Sequence, residues 1–293
     1  MRAQCSQVAS PRVDAVVLAC FSAFLFGAMT VVLRSPLARG ANAEAGALLT
    51  ILPALAVTMP FALAEGGAVL DAWPFLLAGL LGPGLSQLFF TLAVRDAGPS
   101  RTSIVVGTAP LFSVVLALVF LDEPLEAGLI AGAIAIVTGG ILLVAERGRP
   151  EHVRRIGLVF ALGATIVFAT RDNLVRWLAI DSDVAPGLAA AATLGAGGAL
   201  VAAYLAATRT RVVWRELPWF APAGLLFGAS YVCLFEAYYR GRVTVVSPLV
   251  ATESLWGVTL SALVLQRHEL VGRRLFVGAA LVVAGGMLIG AVR

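Results

Sequence analysis

The sequence predicts an all-α integral membrane protein: ten transmembrane helices arranged as two inverted five-helix repeats. Three observations carry this expectation. Hydrophobic residues make up 60% of the 293-residue chain and charged residues only 13%, with a mean hydropathy of +0.94. That leaves too little polar surface to keep a soluble domain of this length dispersed. Apolar runs of about 20 residues, each long enough to cross a bilayer as a helix, recur from end to end. Finally, the second half of the chain repeats the prolines, glycines, serines and arginines of the first in order.

Cutting at charges, prolines and glycines predicts helices near 14–35, 44–64, 72–94, 100–121, 126–145, 155–178, 185–207, 217–239, 243–265 and 271–291. The first apolar run starts at Ala15 and ends at Arg34. No small-residue cleavage site follows a short core there, so it reads as a membrane helix and not a secretory leader. The connections are short, and none could hold a soluble domain.

An offset of 144 superimposes Pro74 on Pro218, Gly84 on Gly228, Ser86 on Ser230, Ser103 on Ser247 and Thr108 on Thr252. An offset of 142 pairs Phe26 with Phe168 and Arg34 with Arg176, and an offset of 146 pairs Gly132 with Gly278. Chance would match Leu and Ala in such a composition, but not this ordered set. The expected units are 14–145 and 154–291 within one transport domain spanning 1–293. Five crossings is an odd number, so the second copy starts from the opposite side of the membrane and the halves are inverted. Inverted halves are a common plan of secondary carriers, with the substrate site at the repeat interface near the midplane.

Several chemistries are excluded or unsupported. Cys5, Cys20 and Cys233 have no CxxC spacing, and His152 and His268 form no HExxH, so no metal site is expected. The chain has no lysine and therefore no Walker A loop. No His–Ser or paired-Asp arrangement supports an intramembrane enzyme, which stays a remote alternative. No cofactor and no nucleic-acid partner are expected; the expected partners are a small-molecule substrate and the lipid bilayer.

Ionisable groups inside a membrane are costly and tend to face a cavity or a partner. The stretch FATRDNLVRW (168–177) places Arg171, Asp172, Asn173 and Arg176 within an otherwise apolar helix. Asp172 and Arg176, spaced i, i+4, are expected to pair along one face. Arg171 has no helical partner at that spacing and lies near the midplane, where a guanidinium can hold a carboxylate in a two-pronged contact. Met29 occupies its place in the first repeat. Glu253, flanked by Thr252 and Ser254 with Trp256 close by, lies mid-way along the ninth segment and can take a proton or an ammonium group. Glu236 reads instead as a surface partner of Arg240. Equivalent stretches PGLSQLFF (83–90) and LFGASYVCL (226–234) set Ser86, Gln87 and Tyr231 on expected cavity walls. Gly128-x3-Gly132 and Gly286-x3-Gly290 read as close-packing faces, with homodimerisation the alternative use.

In its motifs the chain resembles the ten-helix EamA-type members of the drug/metabolite transporter superfamily. The resemblance rests on Gly27 followed seven positions later by Arg34, and on Arg176 in the second copy, where Ala169 replaces the glycine. It also rests on Pro110 ahead of FLDE (120–123) and on TES (252–254) where the family often reads LEP. VLQRHE (264–269) carries a two-residue insertion. This resemblance implies a secondary carrier, often an exporter, of small metabolites such as amino acids or of cationic drugs, in a bacterial inner membrane. The plan is most similar to YddG-like amino-acid exporters. In that reading Arg171 takes the carboxylate and Glu253 the ammonium group or a coupling proton. Phe26, Phe90, Phe168, Tyr231 and Trp256 take the apolar side chain, with Ser86, Gln87 and Thr252 completing the site.

Ten crossings put both termini on one side. Six arginines fall on that side and fourteen on the other, with Arg171 within the membrane. The richer side is cytoplasmic by the positive-inside rule, so the count predicts outward termini whereas the resemblance implies inward ones. A fluorescent protein fused to the C-terminus is expected to stay dark; bright cytoplasmic fluorescence would reverse the assignment.

Overall fold

The computed structural model describes residues 10–112, 127–144, 154–180, 182–241, 243–265 and 272–292. Its first repeat comprises α1 (Ser10–Ala38), α2 (Ala43–Glu65), α3 (Trp73–Gly79), a π-type segment at Leu80–Leu85, α4 (Ser86–Ala97), α5 (Pro99–Val106) and α6 (Ala127–Val144). The second comprises α7 (Arg155–Ile180), α8 (Pro186–Ala207), α9 (Leu217–Arg240), α10 (Val243–Val250), α11 (Glu253–Val264) and α12 (Arg273–Val292). Every described element is helical. Six spans among these residues are long and apolar enough to cross a membrane. The motif FLDE, Cys5, His152, His268 and the inserted end of VLQRHE lie outside the described residues.

The packing repeats when the halves are exchanged. α1 lies against α9 as α7 lies against α4, and α2 meets α9 as α8 meets α3 and the π-type segment. Two pairs, α2 with α8 and α6 with α12, join equivalent elements and so mark the pseudo-two-fold axis. On that axis the glycine faces of α6 and α12 meet each other. A Cβ on Gly285 would lie 2.6 Å from the Gly132 carbonyl, and one on Gly139 2.6 Å from the Gly278 carbonyl. Side-chain-free contacts let two backbones approach, which is how apolar helices gain van der Waals contact in lipid.

Three expected helices are interrupted, each for a local reason. The third span breaks at Gly82, whose backbone is extended, because Pro83 has no N–H to continue the ladder. The ninth breaks at Ala251–Thr252 and the fourth at the equivalent Gly107–Thr108. In both, the chain tightens into i→i+3 bonds: Thr252 N–H donates to the Leu249 carbonyl (3.1 Å) and Thr108 N–H to that of Val105 (3.0 Å). Both threonine hydroxyls donate to the same carbonyls at 2.6 Å, competing with the helical ladder. Discontinuous helices at mid-membrane are tolerated where they face protein or a cavity.

The two arginines matched between the repeats, Arg34 and Arg176, have a structural task. Arg34 Nη1 donates to the Arg95 carbonyl (2.8 Å) at the end of α4, and Arg176 Nη1 to the Tyr238 carbonyl (2.7 Å) near the end of α9. Helix C-termini leave carbonyls unsatisfied and carry partial negative charge, so a guanidinium there answers both. Arg34 and Arg101, two of the fourteen arginines on the richer side of the count, are buried. Gly228 sits where α9 crosses α2, and a Cβ there would lie 2.6 Å from the Ala54 carbonyl and 2.7 Å from Val57 Cβ. Gly228→Leu is therefore expected to destabilise the protein by about 1–3 kcal/mol or more. Thermal unfolding in detergent checks it; an unchanged midpoint would show that the crossing is not close.

Candidate functional site

Where α1, α7, α9 and the breaks of the fourth and ninth spans converge, residues of the two repeats line a cavity of about 40 Å³. That is room for roughly three waters. Its charged wall is Arg171 and Asp172 from α7 and Glu253 from the first position of α11. All three are buried, Arg171 to 3% exposure and Glu253 to 5%. An acidic side chain at the start of α11 is favoured by the helix dipole, which the break at Thr252 brings into the membrane interior.

The remaining wall is aromatic and hydroxylic. The Arg171 guanidinium lies 5.0 Å from the Tyr231 ring centre and 5.5 Å from that of Phe168, within the reach of a cation–π contact. Phe26 packs edge-on to Phe168 at 5.9 Å. Ser22 of α1 and Ser230 of α9 also border the cavity and bond to each other, hydroxyl to hydroxyl at 2.9 Å. Ser247 completes this polar side. Gly82 gives Arg171 its space: a Cβ there would lie 3.2 Å from Arg171 Cγ, 3.3 Å from Nε and 3.0 Å from Ser86 Oγ.

Arg171 does have an ion partner, contrary to the sequence expectation. Its Nε lies 3.1 Å from Asp172 Oδ1, so Asp172 pairs with Arg171, while Arg176 reaches the Tyr238 carbonyl. Helical neighbours project about 100° apart, which is why this pair was not expected. The arginine side chain is long enough to fold back. The contact is not an aligned hydrogen bond, and Arg171 Nε and Nη1 and Asp172 Oδ1 are all buried without a hydrogen-bond partner. Glu236 pairs with Arg240 as expected, at 2.7 Å.

The ten expected site residues separate into layers. Arg171, Glu253, Phe26, Phe168 and Tyr231 share the cavity. Phe90 stands behind it, 5.0 Å from Phe26 and 6.1 Å from Phe168. Ser86 borders Gly82, and Gln87 is fully buried with neither amide atom hydrogen-bonded. Thr252 shapes the helix break. Trp256 lies apart, 41% exposed and edge-on to Phe24 on the outer side of α11. Four polar cavity residues did not figure among the ten expected ones: Asp172, Ser22, Ser230 and Ser247. Ser247 was legible as the counterpart of Ser103, whereas Ser22 sits opposite Ala164 and left no repeat signal. Among the described residues no group of His, Cys, Asp and Glu could hold a metal ion.

Comparison with known proteins bears on this arrangement. The model of the EamA-like transporter family matches residues 14–145 and again 155–291. Among the solved structures that match is one 23% identical, covering 94% of this chain and 96% of its own, with a TM-score of 0.68. At that identity the likeness extends to the fold. No curated protein matches the sequence.

Proposed function

Since the chain belongs to the EamA-like transporter family, a family of multi-pass membrane transporters, we propose that it is a secondary-active exporter of amino acids. Large apolar or aromatic amino acids, or similar amphiphilic metabolites, are the substrates the cavity favours. The observation that carries this reading is one cavity holding buried charges of both signs against an aromatic wall. Arg171 receives the carboxylate, Glu253 the ammonium group or a coupling proton, and Phe26, Phe168 and Tyr231 the side chain. About 40 Å³ is too small for such a molecule, so on this reading the site widens to take its substrate.

A second reading has its own support. Asp172 neutralises Arg171, leaving Glu253 as the surplus charge, which suits an organic cation. Flux into proteoliposomes separates the two. Labelled aromatic amino acids are expected to move, faster with a pH gradient than without. A labelled organic cation that moves and is not displaced by free amino acids would favour the second reading and exclude the first.

A further inference from the structure

We infer that Asp172 is the residue that closes the cavity to plain carboxylates, by holding Arg171 whenever no zwitterion does. This rests on the amino-acid reading above and adds to it a selectivity residue. Asp172 lies next to Arg171 on α7, and its 3.1 Å contact lacks hydrogen-bond alignment. Buried guanidinium nitrogens and a buried carboxylate oxygen are thus left with bonding capacity, and both residues border the cavity. The first repeat builds the same helix with Met29 and Thr30 at these positions, Thr30 bonding only back to the Phe26 carbonyl at 2.8 Å.

A ligand carboxylate approaching from the cavity can take two guanidinium nitrogens in the parallel geometry that Asp172 does not make with Arg171. Doing so strips Asp172 of its partner, and a buried unpaired carboxylate is strongly unfavourable. A ligand that also carries an ammonium group beside its carboxylate repairs the loss, because the amine arrives where Asp172 has been released. A carboxylate without an amine cannot. Specificity of this kind comes from the cost imposed on the wrong ligand as much as from contacts to the right one. Glu253 borders the same cavity and is the other acceptor open to an amine, so the test must separate the two acids.

Flux and competition in proteoliposomes provide that test, with phenylalanine against 3-phenylpropanoate and leucine against 4-methylpentanoate. Each pair shares a carbon skeleton and differs by the amine. In the native protein the amino acid is expected to be preferred by about tenfold or more. Asp172→Asn is expected to reverse that order, the plain acid gaining about tenfold while the amino acid weakens. Asp172→Glu is expected to restore the native order, which a merely structural role would not require. If Asp172→Asn weakens both ligands alike, or keeps the native preference while Glu253→Gln abolishes it, the assignment is overturned. Should the native protein move neither amino acid yet move an organic cation, the amino-acid reading itself fails, and this inference falls with it.

Discussion

Arg171→Ala is expected to abolish amino-acid transport and to destabilise the protein by about 3–5 kcal/mol, the effect of leaving one member of a buried ion pair alone. Arg171 is buried to 3% exposure, and its removal leaves Asp172 without the cation 3.1 Å away. The two losses have different causes and can be separated. The double variant Arg171→Ala with Asp172→Ala removes both charges, so stability is expected to return while transport does not. Arg171→Lys keeps the charge but not the planar fork, and is expected to keep stability better than affinity. Flux measured beside thermal unfolding checks the set. Normal flux in the alanine variant would remove Arg171 from the site, whatever happens to the unfolding midpoint.

Glu253→Gln is expected to remove the stimulation of transport by a pH gradient while leaving the protein folded. The amide has nearly the shape of the protonated acid, so packing at the head of α11 is preserved. What is lost is a group that can gain and release a proton within the cavity. Exchange of labelled for unlabelled substrate needs no net proton movement and is expected to survive, whereas gradient-driven accumulation is expected to fall by about tenfold. A variant that still responds fully to the gradient would place coupling elsewhere, with Asp172 the next acid to test.

Much of this was legible in the residues because hydrophobicity and repetition are local or periodic signals. Pro74 with Pro218 and Arg34 with Arg176 marked equivalent positions, and the structure gives the two arginines equivalent tasks, each donating to carbonyls at the end of the third span of its own repeat. Glu253 and Arg171 stood out because a charge amid apolar helix needs a reason. The helix breaks were harder to read. Thr108 and Thr252 matched across the repeats, yet threonine within an apolar run does not by itself announce an interruption.

Trp256 and Asp172 mark the boundary between the two kinds of information. Sequence placed Trp256 one turn from Glu253 and hence near the substrate; helix α11 turns it outward, because rotation about a helix axis is set by its neighbours and not by its own residues. At the closest approach, a Cβ on Gly27 of α1 would lie 2.7 Å from the Trp256 Cβ. Asp172 read as the partner of Arg176 on i, i+4 spacing. The end of α9 drew Arg176 away to an unsatisfied carbonyl, and Arg171, seated in the notch at Gly82, folded back onto Asp172. Composition and internal repetition therefore determined the membrane environment, the helices and the two-repeat plan, since those follow from burial of apolar surface along each segment. Which charges meet was decided by tertiary structure, because a side chain's partner depends on the backbone carbonyls and cavities that other helices bring within reach.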